Sequence, residues 1–434
     1  MAEHGELKEA IMKEIAKRLL SLVIVLACFL SLCLPALAAP QSQAQEETQA
    51  QDESSEETGG LLDQAALAAL KNYTYGDYLS DHADAAHPQT EISLKYDEHQ
   101  EYDNELKLKE NELPYAEFTD EYFNITQKAL ISDEDTIIGW TFSVPEDGMY
   151  SIKINYYNFV EYTDPQTGVT YKSRSSSIAK RIYIDGKIPF YEARQFYITR
   201  NWMDQNEVVR DSVTDNDIRP FQQEMSIWQT QSVKDHMGYY SSPLQFYLSA
   251  GEHTIMFEPV RESCAIAEVI IYNEEEVLSY EELKAQYEAA GYKPVSATDN
   301  TPIDPKNPSV SNDENYIYIE AEKPSLKSSP TMYGVTDRSS PLTYPYHPSK
   351  IRLNTIGGDK WQNAGEWMEW SFTVKNAGLY RISFKSRQNL LNNSFTSRQV
   401  LLDGEEICQE TNAVEFNYSS DWDMVTLGNG QEDY

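Results

Sequence analysis

Alternating apolar positions mark two stretches of this chain that share one pattern, residues 140–156 (WTFSVPEDGMYSIKINY) and 370–384 (WSFTVKNAGLYRISF). In each, a Trp opens a W-x-F-x-V run, a turn ending in Gly follows, and apolar residues then resume at every second position. Period-two alternation places such side chains on one face of a β-strand. Each stretch therefore predicts a β-hairpin, with Gly148 or Gly378 supplying a positive φ in its turn.

The two copies stay in step further along the chain. IYIDGKIPF at 182–190 matches VLLDGEEIC at 400–408, and both Asp-Gly pairs predict two-residue hairpin turns. We align Phe196–Trp202 with Phe416–Trp422. This self-similarity predicts a duplicated all-β domain.

Further elements follow from local signals. Leu61–Leu70 predicts a short helix, Phe246–Phe257 a hairpin turning at Ala250 and Gly251, and Ala265–Tyr272 the strand that closes the first domain. Ser279 and Glu282 form the capping box of a helix that ends at Gly291. The predicted organisation is a signal peptide at 1–38, an acidic linker at 39–60, a helical lead-in at 61–90, a first β-sandwich at 91–273, a helix and linker at 274–313, and a second β-sandwich at 314–434.

The second copy is shorter than the first after its last matched Trp. No counterpart of the Phe246–Phe257 hairpin or of the closing strand follows Trp422. We therefore expect the second sandwich to be truncated, with unpaired strand edges and a partly uncovered apolar face.

The N-terminus has the features of an export signal. Lys13, Lys17 and Arg18 precede an apolar run at 19–34, and the small residues of Ala36-Leu37-Ala38 predict cleavage before Ala39. An uncleaved membrane anchor and a lipoprotein are the alternatives. The acidic stretch 41–58 predicts a flexible tether. We expect the protein outside the cell or at the cell envelope.

The formal net charge of −35 argues against nucleic acid and anionic lipid as partners, because both require a basic surface. Cys264 and Cys408 belong to different copies and are predicted to be buried free thiols. GxSxG, HExxH, CxxC and phosphate-binding Gly loops are missing from the sequence. We therefore predict a protein that is not an enzyme and that uses no cofactor other than calcium.

Calcium is the one predicted metal. Glu320 and Glu322, in YIYIEAE, share a strand face and could offer two carboxylates to this cation. The alternative is a polar edge strand without metal.

Aromatic residues in loops, flanked by polar residues, are the candidate sugar contacts, since rings stack on sugar CH groups while hydroxyls take hydrogen bonds. The alternative is that these rings plug the ends of the sandwiches. The predicted ligand-binding residues are Arg200, Trp202, Trp228, Tyr239, Tyr240, Trp361 and Trp422.

The repeated W-x-F-x-V-x-x-x-G-x-Y-x-I pattern with its Asp-Gly turn resembles carbohydrate-binding modules of families 6 and 35. The resemblance implies two galactose-binding-like jelly-roll β-sandwiches, in which acids such as Glu320 and Glu322 help to hold a structural calcium. The segments at 219–255, 280–294 and 337–372 resemble the N-terminal region of extracellular solute-binding proteins of sugar ABC transporters in Gram-positive bacteria.

The second resemblance implies a carbohydrate or cell-wall glycan as ligand. It also implies contact with permease subunits through a solute-binding domain. Two other functions stay open: structural spacer modules without sugar binding, and targeting modules of a glycoside hydrolase.

Secreted protein is expected to begin near Ala39, because the signal is cleaved after Ala38. N-terminal sequencing of culture supernatant checks this. Retention of the whole chain in the cytoplasm would contradict it.

Overall fold

The computed structural model describes residues 68–298, 304, 307–309, 311–389 and 392–425. The predicted signal peptide, the acidic linker and most of the predicted Leu61–Leu70 helix lie outside the described residues. From Ala69 onward the chain belongs to one compact unit.

Up to residue 272 the described chain contains the α-helix Tyr75–Asp81, nineteen strands and two 3-10 helices, and the second copy contains short strands and two 3-10 helices. The elements up to residue 272 are α1 (Tyr75–Asp81), β1 (Ile92–Lys95), β2 (Gln100–Tyr102), β3 (Leu108–Lys109), β4 (Tyr115–Thr119), β5 (Thr126–Ser132), β6 (Ile137–Val144), β7 (Gly148–Tyr157), β8 (Glu161–Thr163), β9 (Thr170–Lys172), β10 (Ile178–Ile184), β11 (Phe196–Ile198), β12 (Asn201–Asp204), β13 (Val209–Arg210), β14 (Asp217–Ile218), β15 (Gln222–Met225), β16 (Trp228–Ser232), β17 (Gln245–Leu248), β18 (Gly251–Arg261) and β19 (Cys264–Tyr272). They are followed by α2 (Tyr280–Ala289), β20 (Leu326–Lys327), β21 (Met368–Glu369), β22 (Phe395–Arg398), β23 (Leu401–Leu402), β24 (Glu405–Glu406) and β25 (Val414–Asn417).

Two antiparallel sheets form the sandwich of the first copy. One sheet has the order β16-β7-β19-β5-β4, with β1 beside β19 and β17 beside β7, and the other has the order β11-β10-β18-β6-β2-β3. Side chains from both sheets meet in a large buried core that includes Trp140, Tyr150, Tyr156, Phe246 and Phe257. The predicted all-β sandwich fold is therefore confirmed.

The predicted hairpins at the Trp140 stretch and at Phe246–Phe257 are wrong. β6 and β7 lie in different sheets, and so do β17 and β18, because the chain crosses between the sheets at each of these turns. A period-two pattern reports which face of a strand is buried but not which sheet the strand joins. Gly148 also lacks the predicted positive φ. It is required by close packing instead, since a Cβ there would lie 2.4 Å from Pro88 Cδ.

Both Asp-Gly turns are confirmed. Asp185 and Gly186 have φ of 49° and 75°, and Asp403 and Gly404 have φ of 53° and 85°. Two consecutive positive φ values are typical of the type I′ turn that joins antiparallel strands. The helix with the Ser279–Glu282 capping box is also confirmed, as α2, and the thiols of Cys264 and Cys408 are free and buried.

Helix α1 lies within the predicted helical lead-in at 61–90, but further along the chain than the helix predicted at Leu61–Leu70. Thr74 and Asp77 form its capping box, a signal that was present in the sequence. The buried hydroxyls of Tyr75 and Tyr78 accept hydrogen bonds from the backbone N–H groups of Gln245 (2.9 Å) and Tyr247 (2.6 Å). The helix thus satisfies backbone donors of β17, which would otherwise be an open sheet edge.

The second copy repeats the first at the level of hydrogen bonds. β22 pairs with β25 as β10 pairs with β11, each partner shifted by 218 residues, so that Thr396 lies opposite Phe416 as Ile178 lies opposite Ile198. Our alignment of Phe196 with Phe416 was therefore wrong by two residues. Trp140 Nε1 donates to the Lys95 carbonyl at 2.8 Å, and Trp370 Nε1 donates to the Ala321 carbonyl at 3.0 Å.

The strands predicted at 316–322 (YIYIEAE) and 370–384 do not form in the described residues. Trp370 is half-buried, whereas Trp140 is only 1% exposed. In the first copy the matching strands are covered by β18 and β19, and the described part of the second copy has no strands in those places. The Asp403-Gly404 turn and the β22–β25 pair form without that cover.

A four-stranded sheet joins the two copies. Its order is β15-β12-β20-β21, so two strands come from the first copy and two from the second. Lys327 on β20 is fully buried, and its Nζ lies 2.6 Å from Asp204 Oδ1 on β12. The copies are therefore held together by backbone pairing and by a largely desolvated ion pair.

Replacing Trp140 by Ala should lower the free energy of unfolding by about 3–5 kcal/mol, because a large buried side chain leaves a cavity. Trp370→Ala is the matched control. It should lower stability by roughly 1 kcal/mol, since that ring is only half-buried. Guanidinium denaturation followed by circular dichroism measures both. Equal losses would show that the second copy is packed as tightly as the first.

Candidate functional site

Two of the predicted ligand residues are part of the interior. Trp228 is buried against Phe118 and Tyr157, and its Nε1 donates to the Phe118 carbonyl at 3.2 Å. Buried indole rings with satisfied N–H groups are packing residues. The plug interpretation is thus the correct one for Trp228.

Arg200 is also buried, and carboxylates surround its guanidinium. It lies 2.6 Å from Glu224 and 3.2 Å from Glu262. Burial alone would raise the pKa of Glu262, but bonds from the Ser176 hydroxyl and the Arg174 backbone, with the Arg200 charge, hold that pKa below its usual value. Arg200 is therefore a structural ion-pair partner, not a ligand residue.

The remaining first-copy candidates, Trp202, Tyr239 and Tyr240, lie in three different environments. Tyr240 packs edge-on against Tyr75 at 4.8 Å and helps to hold α1. Trp202 lies on β12, between β15 and β20 in the joining sheet. Tyr239 is 77% exposed, so its ring is available to a ligand. Its neighbour Gly238 contacts the second copy, since a Cβ there would lie 2.2 Å from Ala364 Cβ.

The two second-copy Trp residues among the predicted ligand residues, Trp361 and Trp422, each lie beneath a cation. Arg398 lies 4.3 Å from the Trp361 ring, and Lys385 lies 5.3 Å from the Trp422 ring. Trp361 Nε1 donates to the Glu366 carbonyl at 3.0 Å. The structure therefore does not bring the predicted aromatic residues together into one binding face.

The structure instead forms a polar cleft where the β13–β14 hairpin of the first copy meets the start of the second copy. This junction cleft has a volume of about 310 Å³. Its lining combines acids, bases and one aromatic ring: Arg210, Asp217, Glu320, Glu322, Lys323 and Tyr344, with apolar Val208, Pro345 and Leu353. Glu320 and Glu322 were predicted as site residues. Arg210, Asp217 and Tyr344 were not, because only tertiary folding brings these distant residues close to Glu322.

Ion pairs order most charges of the cleft. Arg210 Nε lies 3.1 Å from Asp217 Oδ1, and Lys323 pairs with Glu320. Arg352, just outside, contacts Asp217 at 3.5 Å. The cleft therefore contains both hydrogen-bond donors, from Arg210 and Lys323, and acceptors, from Asp217 and Glu320.

Glu322 differs from the other carboxylates of the cleft. It is 5% exposed, and its Oε1 is buried without a hydrogen-bond partner in the described structure. Burial, with the nearby negative charges of Glu320 and Asp217, raises the pKa of Glu322 to about 7, although Lys323 opposes the shift. Near neutral pH this side chain is therefore poised between its charged and uncharged forms.

The calcium prediction rests on Glu320 and Glu322. The unpartnered Glu322 oxygen is a suitable donor, but Ca²⁺ takes six to eight oxygen ligands. Within the described ranges, no three His, Cys, Asp or Glu side chains are placed to hold a metal ion. A calcium ion beside Glu322 would therefore need backbone carbonyls or water among its ligands.

A Ser-His-Asp arrangement occurs at the turn before β18. His253 Nδ1 lies 2.7 Å from Asp185 Oδ2, and Nε2 lies 3.3 Å from Ser249 Oγ. However, Nε2 is also 2.8 Å from the Ser249 carbonyl oxygen, which can only accept. That nitrogen therefore carries a proton and cannot take one from the Ser249 hydroxyl, as a catalytic triad requires. These hydrogen bonds instead link the Asp185-Gly186 turn to the turn at Ser249.

In the part of the chain that the structure describes, no helix is both long and apolar enough to cross a bilayer.

No protein-family model matches the sequence, and neither does any curated protein. Similar solved structures include carbohydrate-binding modules. A family 35 module from Clostridium thermocellum is 9% identical with a TM-score of 0.22, and the alignment covers 43% of this chain and 99% of that one. The C-terminal CBM6 of LamC from Zobellia galactanivorans is 9% identical with a TM-score of 0.21, over 42% of this chain and 100% of that one.

A third similar structure is CBM6cm-2 from Cellvibrio mixtus lichenase 5A, in complex with cellotriose. It is 9% identical with a TM-score of 0.20, and the alignment covers 42% of this chain and 98% of that one. At such identities and TM-scores, these likenesses carry no argument about the ligand of this chain.

The stability of the protein should fall as the pH rises from about 4.5 to 7. Glu322 holds its proton more tightly in the folded chain than in the unfolded one, so folding takes up a proton within this window. The effect is roughly 3 kcal/mol at most. In thermal melts at pH 5 and pH 8, Glu322→Gln should reduce the difference, and the exposed Glu405→Gln should not. The same pH dependence in all three proteins would contradict the assignment.

Proposed function

We propose that this protein is an exported, non-catalytic carbohydrate-binding protein and that the junction cleft is its sugar site. We further propose that it acts at the cell envelope as the N-terminal part of a solute-binding protein of a sugar ABC transporter, with permease subunits as partners. The observation that carries the binding proposal is the convergence of paired charges and one aromatic ring on a single cavity. The transporter context rests on the sequence resemblance alone.

The chemistry of the cleft suits a polyol. Sugar hydroxyls both donate and accept, so they pair with the carboxylates of Glu320 and Asp217 and with the cationic groups of Arg210 and Lys323 at the same time. The Tyr344 ring offers an apolar face to sugar CH groups. The lining has three acids and two bases, but Glu322 is partly uncharged near neutral pH, so the net charge of the cleft is small and favours a neutral ligand over an ion.

The size of the cleft limits the ligand. A volume of about 310 Å³ lies at the lower end of the range for small-molecule sites. It would accommodate one or two sugar units, so the ligand is the end of a glycan or a short oligosaccharide. We expect weak binding, because the cleft is open and polar.

The competing function is that of a structural spacer that binds no sugar. The joining sheet favours it, since β12, β15, β20 and β21 fix the two copies to each other. So does the burial of Trp228 and Arg200, which removes two of the predicted ligand residues from the surface.

Glycan-array screening followed by calorimetry tests the choice. Arg210→Ala and Tyr344→Ala should weaken binding at least tenfold, because both side chains line the cleft. Lys172→Ala, an exposed cation on β9, is the control for Arg210, and Tyr239→Ala is the control for Tyr344. Loss of binding in the Tyr239 variant alone would place the site on the exposed loops. Absence of binding to any glycan would favour the spacer.

Calcium is tested separately, by thermal melts with Ca²⁺, with Mg²⁺ and with chelator. If backbone groups complete a site around Glu322, Ca²⁺ raises the melting temperature of the protein and not that of the Glu322→Gln variant. An equal response of both proteins would exclude a calcium site at this residue.

A further inference from the structure

The β13–β14 hairpin of the first copy lies at the junction of the two copies, and its own residues fix its turn. Asp211 Oδ1 accepts hydrogen bonds from the backbone N–H groups of Val213 (3.0 Å) and Thr214 (2.6 Å). The Asp211 N–H donates to the Asn216 carbonyl at 2.8 Å. An Asp that bonds to the backbone in this way holds a turn through local contacts. The hairpin thus presents Asp217 to the second copy in a defined conformation.

Residues 350–353 of the second copy dock onto this turn, and we call the contacts the hairpin clamp. The Asp217 N–H donates to the Ile351 carbonyl at 3.1 Å, and the Ile351 N–H donates to Asn216 Oδ1 at 2.8 Å. A third hydrogen bond runs from the Leu353 N–H to Asp217 Oδ2 at 3.1 Å. The clamp therefore connects the two copies beside the junction cleft, in addition to the joining sheet.

The Asp217 carboxylate belongs to both the clamp and the cleft. Its side chain is only 6% exposed, and it lines the cleft together with Arg210. Oδ2 accepts from Leu353 of the second copy, whereas Oδ1 lies 3.1 Å from Arg210 Nε of the first copy. A buried carboxylate that loses such donors pays the cost of desolvation without compensation. The position of Asp217 is therefore determined by both copies at once.

Arg352 fixes Asp217 from outside the cleft. Its guanidinium is buried, with Nη2 at 2.9 Å from Asp215 Oδ2 and Nη1 at 3.5 Å from Asp217 Oδ1. The planar fork of an Arg side chain can hold two carboxylates in this way, which a Lys ammonium cannot do with the same geometry. Arg210, more than half exposed, pairs with Asp217, so its direction depends on where Arg352 holds that carboxylate.

We propose that Arg352 is a positioning residue of the junction cleft, and that sugar binding is coupled to closure of the hairpin clamp. The inference rests on the sugar site proposed above. Arg352 and the Leu353 N–H hold Asp217, and Asp217 orients Arg210 toward a sugar hydroxyl. A sugar that also contacts Lys323 of the second copy binds tightly only while the clamp is closed. Such coupling is reciprocal, so the bound sugar stabilises the closed clamp to the same extent.

Calorimetry of the full chain with the disaccharides cellobiose, lactose and maltose, and with the strongest glycan of the array, tests the positioning role. Arg352→Gln should weaken binding about tenfold, because Asp217 and Arg210 lose their fixed geometry. Arg352→Lys keeps the charge but not the fork, and its loss should be intermediate. Arg387→Gln is the control and should bind normally, since Arg387 pairs with Asp337 at 2.7 Å, away from the cleft.

A double-mutant cycle separates positioning from a general loss of stability. Arg210→Ala weakens binding, and adding Arg352→Gln to that variant should cause little further loss, because the group that Arg352 positions is gone. If Arg352→Gln does not fold, Arg352→Lys takes its place in the cycle. Losses that add fully would show that Arg352 acts through overall structure alone, and would overturn the inference.

Hydrogen exchange read by mass spectrometry tests the reciprocal effect. The bound sugar should slow exchange of the Ile351 amide, which donates to Asn216 and does not line the cleft. Exchange over β6 and β7 should not change. A sugar that binds without slowing exchange at Ile351 overturns the coupling and leaves the sugar site intact. If neither the three disaccharides nor any glycan of the array binds, the sugar site itself fails, and this inference fails with it.

Discussion

The closure of one β-sandwich by the segment Gly251–Tyr272 is the interaction on which the rest of the structure depends. This segment places β18 in one sheet and β19 in the other, and Trp140 becomes buried between them. The duplicated sequence provides an internal comparison. Where the segment is present, the W-x-F-x-V pattern forms two long strands, and in the described second copy the same pattern lacks that cover and stays largely unpaired. An amphipathic strand is stable only when another surface removes its apolar face from water.

The junction of the two copies is the second organising feature. The joining sheet buries Lys327 beside Asp204, and the neighbouring first-copy loops bury Arg200 between two glutamates. Each of these charges has a partner, as burial requires. Glu322 Oε1 is different, since its charge is disfavoured rather than paired. A site next to such a group responds to pH and to any ligand that supplies a donor or a cation.

The candidate site could be predicted only in part. Glu320 and Glu322 were identified from their spacing, and both line the junction cleft. Trp beside polar residues in a loop is common to sugar sites and to the ends of β-sandwiches. Local sequence does not separate these cases. Whether a ring such as Trp228 is exposed depends on strands β4 and β7, which are distant in sequence.

The sequence by itself determined the features that depend on neighbouring residues. These are the buried faces of β6 and β7, the two Asp-Gly turns and the capped helix α2, because side-chain alternation, positive φ and capping are local properties. The tertiary structure alone decided which sheet each strand joins, which copy is covered, and which distant residues meet Glu322. Those outcomes depend on contacts between residues far apart in the chain, and period-two alternation is the same on either sheet.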